Sequence, residues 1–245
     1  MDAQLTTLTQ RGSKPSKVLD IFQRPPRVVQ VTFETDELFA RDPDGDPRFY
    51  HVRLDVAPDT SCLESKSLKQ FLWALMEEWG VDRGTTAPEL ADQLSDAVWE
   101  AIHPHYCSAM LVDRDSRECA QAHRGNPNRL PARLDSYQSQ SSRVISKCPI
   151  TGQPDFYVVS VNLQPSGSFQ GLSLLDYLDA AIMRATWGQD KRGMFAEALA
   201  GKIAQEISVQ VQPDVCRVEL QQSPRGGIKL IAVAEVTKGE THVSK

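Results

Sequence analysis

Apolar residues recur along this chain with two different periods. Val28, Val29, Val31 and Phe33 form a short β-branched and aromatic run that predicts a strand over 28–33. From Phe49 to Val56, apolar Tyr50, Val52, Leu54 and Val56 alternate with His51, Arg53 and Asp55, the period of a half-buried strand. The turn-forming run Arg41-Asp42-Pro43-Asp44-Gly45-Asp46-Pro47 separates the two. The period then lengthens. Leu68, Phe71, Leu72, Leu75 and Trp79 share one helical face, and Leu90, Leu94, Val98 and Ile102 predict a second helix from about Pro88 to Ile102. A strand around Cys107 to Val112 follows.

Between 114 and 143 the chain is polar and poor in apolar residues, which predicts a linker or long loop. The earlier order then returns. A strand is predicted over Phe156 to Leu163 and a loop from Gln164 to Gln170. Helices are predicted over Leu172 to Thr186 and about Arg192 to Ile207, with strands near Val209 to Gln221 and Ile228 to Val236. The pattern reads as an α+β fold of two similar halves, each an antiparallel sheet with two helices on one face. The domains would be an extended arm at 1–26, a first module at 27–113, a linker at 114–145, a second module at 146–237 and a tail at 238–245.

Composition narrows the partners. The chain has 245 residues with a net charge of -5, a poor basis for holding nucleic acid phosphates, so a small-molecule or protein partner is expected. Five cysteines, an odd number without a C-x-x-C pair, fit a reducing cytoplasm. The N-terminal residues carry no signal-peptide pattern, and no apolar run reaches the roughly 20 residues a membrane span needs, so a soluble protein is expected. His103, His105 and Cys107 are potential metal ligands, but Pro104 breaks their spacing and no second cluster accompanies them. No metal site is expected there, and both histidines read as loop-end residues.

The chemistry concentrates in Cys148-Pro149-Ile150-Thr151-Gly152-Gln153-Pro154-Asp155-Phe156. A lone thiol and a lone carboxylate flank one turn, and Lys147 supplies a neighbouring cation of the kind that favours a thiolate. A nucleophile paired with an acid can add across a polarised multiple bond. A packing cysteine and a turn-capping aspartate are the plainer reading of the same residues. A second segment, Glu64-Ser65-Lys66-Ser67-Leu68-Lys69, lies far upstream.

Together these two segments resemble the signatures of the QueF family of NADPH-dependent nitrile reductases, and Arg225-Gly226-Gly227 is similar to a third, weaker feature. The order of the segments resembles the long, two-module branch of that family, over roughly residues 28 to 236. The resemblance implies tandem tunnelling-fold (T-fold) modules and an oligomer, most simply a homodimer. It also implies that Cys148 attacks the nitrile of 7-cyano-7-deazaguanine to form a thioimidate while Asp155 handles the proton. Leu63, Glu64, Ser65 and Glu197 would bind the deazapurine, and Ser65, Lys66, Arg225 and Gly226 would hold NADPH. One departure stands out: the family has a histidine before the second-module glutamate, and this chain has Ala196 before Glu197. Two rival readings follow: the thioimidate is captured by ammonia or water without NADPH, or the protein only binds a deazapurine.

Overall fold

The computed structural model describes residues 15–79, 84–134, 137–164, 177, 193–224 and 226–239. They form two compact units, one drawn from 1–24, 31–130 and 224–230 and the other from 25–30, 131–223 and 231–245. The predicted helix at 172–186 falls almost wholly outside the described residues, as does the loop after Gln164.

In the first unit a short strand β1 (Ile21–Gln23) pairs antiparallel with β4 (Ser61–Leu63). The main strands are β2 (Val28–Arg41), β3 (Pro47–Ala57), β5 (Tyr106–Asp113) and β6 (Cys119–Gly125). Each pairs antiparallel with the next, so spatial order follows chain order. The predicted alternation of β3 is realised: Tyr50, Val52, Leu54 and Val56 are buried, and the residues between them are partly exposed. Helices α1 (Ser65–Glu77) and α2 (Ala87–Ile102) separate β4 from β5. Leu68 and Leu72 of α1 and Leu94 of α2 meet Phe33, Val52 and Leu54 in an apolar interior. A capping box starts α2. The Thr86 hydroxyl accepts from the Glu89 backbone N–H, and the Glu89 carboxylate accepts from that of Thr86. His103, in the left-handed region, ends it.

The second unit repeats the simple strand order. Strands β7 (Gln138–Lys147), β8 (Pro154–Gln164), β9 (Val215–Gln222) and β10 (Lys229–Thr237) pair successively and antiparallel. Helix α3 (Ala196–Val211) packs on β9, burying Leu199, Ala200, Ile203, Ala204 and Ile207.

Several expectations are corrected. The stretch read as a linker contains β6 and β7. Both are terminal strands, whose buried positions are filled by Ala120, Ala122, Val144 and Ser146, too small or too few to give an apolar signal. Ile21–Gln23 of the supposed arm is β1. Strand β2 runs beyond 33 to Arg41, because a register shift between Thr35 and Leu38 breaks the alternation across Asp36 and Glu37. Val209 and Val211, read as the start of a strand, instead close α3, which ends at Gln212 in the left-handed region.

Candidate functional site

Strand β7 ends at Lys147, and β8 starts at Pro154. The Cys148 backbone N–H donates to the Gln153 carbonyl at 2.9 Å, and that of Gly152 to the Cys148 carbonyl at 3.0 Å. The ladder therefore continues one step past the strand and fixes the backbone of the cysteine. The Ser146↔Asp155 register puts Asp155 within β8 rather than in the turn. Paired residues of an antiparallel ladder share a face, as Ser146 and Asp155 do, and Cys148, two residues on and bonded to the Gln153 carbonyl, continues that alternation just past the end of β7. Cys148 is partly exposed, whereas Asp155 is only 2% exposed.

The start of α3 is docked on this turn. The Met194 N–H donates to the Lys147 carbonyl at 3.2 Å. Gly193 lies so close that a Cβ there would overlap that carbonyl oxygen and press on the Cys148 backbone. Glu197, one residue into α3, is 2% exposed, and Ala196 is 5% exposed. The sequence pattern put Gly193 inside the helix predicted from about Arg192, whereas the helix starts at Ala196; the tight approach of Gly193 depends on packing no pattern reveals. Gly193→Ala is expected to destabilise the fold by about 1–3 kcal/mol and to slow reactions at Cys148. Thermal melting and alkylation of the thiol check both effects.

The other thiols compare poorly. Burial pushes Cys107 up to about 11 and Cys216 up to about 12, which disfavours the thiolate at neutral pH. Cys62 is 1% exposed, and exposed Cys119 sits on the terminal strand β6.

In the first unit the Glu64 carboxylate caps α1, accepting from the Ser67 N–H at 2.8 Å. Burial pushes its carboxyl above the usual range, against the opposing pull of the Lys66 and Ser67 backbone N–H groups. Ser65 is partly exposed and Lys66 exposed on the first turn of α1, where backbone N–H groups and a cation suit an anion. Leu63, just before Glu64, is 2% exposed. Gly226 and Gly227 adopt φ of 58° and 85°, the left-handed region. A Cβ on Gly226 would stand 3.0 Å from Lys69 Nζ, so this glycine turn faces α1. Lys69 also lies 3.9 Å from Glu37, and Trp73 and Met76 extend the groove beside them. Arg225 lies outside the described residues.

Within the second unit, then, the structure brings Cys148 and Asp155 together and docks the start of the helix that carries Glu197 on their turn. Within the first it brings Gly226 to α1, the helix of Ser65 and Lys66. His103 is a helix cap, and His105 lies 3.4 Å from the Asp59 carboxylate. No described helix is long and apolar enough to cross a membrane.

No family model matches the chain. Curated relatives do. The chain is 35% identical over 109 residues to the NADPH-dependent 7-cyano-7-deazaguanine reductase of Syntrophus aciditrophicus (strain SB), a match covering 43% of this chain and 74% of that protein. It is 31% identical over 97 residues to the enzyme of that name from Anaeromyxobacter sp. (strain Fw109-5), covering 38% of this chain and 75% of the relative. A third, from Nitratidesulfovibrio vulgaris (strain DP4), is 32% identical over 110 residues, covering 44% and 62%.

Proposed function

The chain belongs to the family of NADPH-dependent 7-cyano-7-deazaguanine reductases, and from that premise we propose that it reduces the nitrile of 7-cyano-7-deazaguanine to an aminomethyl group. The observation that carries the reading is the shared face of Cys148 and Asp155 on a backbone held by ladder bonds and by the Gly193–Met194 segment.

In this reading the Cys148 thiolate attacks the nitrile carbon and forms a C–S bond. The displaced π pair goes to the nitrogen, which takes a proton from the Asp155 carboxyl, leaving a thioimidate and a carboxylate. Asp155 is 2% exposed, and a dry site matters here because water would hydrolyse the later imine. Glu64, with Leu63 and Ser65 next to it in the chain, and Glu197 are each assigned to deazapurine binding, since a carboxylate can accept paired N–H donors from a guanine-like edge. The cofactor also fits. The first turn of α1 offers Ser65 and Lys66, and the missing Cβ of Gly226 keeps an open approach to Lys69. Ser65, Lys66, Arg225 and Gly226 would hold NADPH. When bound, NADPH supplies the two hydrides that separate a nitrile from an amine.

The same reading takes each half as a tunnelling-fold module with its helices on one face. The repeated order supports it: a strand pair, then helix, then a second strand pair in each half, with the strands pairing antiparallel. It places the protein in the cytoplasm as a homodimer, with product passing to tRNA modification and no direct hold on nucleic acid. Exposed Ile145, Phe156 and Val158 on β7 and β8 support self-association; light scattering that returned only monomer would count against it.

Ala196 supports a second reading. Its methyl, 5% exposed at the start of α3, can neither give nor take a proton. In that case ammonia or water attacks the thioimidate carbon and the C–S bond breaks, releasing the Cys148 thiolate and an amidine or amide. Following NADPH absorbance with product mass separates the two. Reduction consumes two NADPH per nitrile and yields the aminomethyl compound, while an amidine or amide with NADPH untouched overturns it.

A further inference from the structure

Ser146 is 0% exposed, and its hydroxyl has no hydrogen-bond partner. A buried hydroxyl without a partner forfeits its water contacts and gains nothing in return, so its presence asks for a cause. Its position supplies one. Ser146 pairs directly with Asp155 across the β7–β8 ladder, which puts the two side chains on one face with Cβ atoms about 4.5–5.5 Å apart. The alternation of the strand returns Cys148, two residues on, to that same face. Asp155 has contacts of its own, but a carboxylate offers up to about four acceptor sites, so a further donor can be taken.

We propose that Ser146 is a positioning residue for Asp155, its hydroxyl turning to donate a hydrogen bond to the carboxylate that remains after Asp155 has given up its proton. This role rests on the assignment of Asp155 as the proton donor. The physical need is plain. At 2% exposure, a newly formed carboxylate has little water to stabilise it and requires protein donors. The hydroxyl meets that need with a charge-assisted bond, stronger than a neutral one. Before proton transfer the acid needs no such donor, and the hydroxyl stands unpartnered. Serine reorients through one side-chain torsion and a hydroxyl rotor, so no backbone movement is required.

Ser146→Ala tests this. The full chain, with and without the substitution, is mixed with 7-cyano-7-deazaguanine, and adduct formation is followed by intact mass over a range of nitrile concentrations. The limiting rate is expected to fall roughly 10- to 100-fold, the effect of losing a hydrogen bond to a charged group. The half-saturating concentration should stay within about twofold, because the bond forms after binding. The melting temperature should not fall, since the substitution removes an unpartnered buried polar atom. In an Asp155→Asn background the same substitution should change the rate less than about twofold. A Ser146→Ala protein with the unaltered limiting rate overturns the role, as does an equal fall in the Asp155→Asn background. If the unsubstituted protein forms no adduct, the assignment of Cys148 fails first and this role falls with it.

Discussion

Replacing Cys148 with alanine is expected to abolish both the covalent adduct and turnover, a loss on the order of 10⁴-fold or more. No other cysteine among the described residues can take over. Cys107 and Cys216 are buried and their thiols pushed up to about 11 and about 12. Cys62 is enclosed, and exposed Cys119 sits on β6, which pairs with β5 and not with the strand that carries Asp155. The fold should survive, because Cys148 is partly exposed and its backbone bonds do not involve the side chain. NADPH oxidation and intact mass on the variant check the loss, with circular dichroism confirming the fold. An adduct of unchanged yield in Cys148→Ala would remove the thiol from the mechanism.

Asp155→Asn is expected to slow adduct formation by roughly 10²–10⁴-fold, the usual range for a positioned acid. The amide matches the carboxyl in shape, so the 2% exposed pocket on β8 is filled as before. What is lost is the proton the nitrile nitrogen must receive as the C–S bond forms. Binding of the nitrile should change little, which separates this variant from one that distorts the site. Rapid-mixing mass measurements give the rate, and equilibrium dialysis gives the binding. An unaltered rate would mean that solvent or another group supplies the proton.

Much of this was legible in the residues, for identifiable reasons. The long alternation of β3 and the helical stripe of α2 are strong signals, because each buries one face of a regular element. Strands β6 and β7 were not legible: terminal strands need few large apolar residues, and apart from Val144 only alanine and serine fill their buried positions. The bulge in β2 broke the alternation that would have shown its full length. At the site, the Cys148 and Glu64 segments stood out through their motifs. The placement of Asp155 in a strand, the Glu64 cap on α1 and the docking of Gly193 are products of register and packing. Ser146 illustrates the same limit, since its importance comes from what lies across the ladder rather than from its neighbours in sequence.

The central claim is covalent chemistry at one thiol, and the most direct test is an intact mass taken after mixing the protein with 7-cyano-7-deazaguanine in the absence of NADPH. The expected result is a mass increase equal to one whole nitrile substrate, mapped to Cys148 by peptide analysis and lost when NADPH is added. An unmodified protein, or an adduct mapped to another residue, would contradict it.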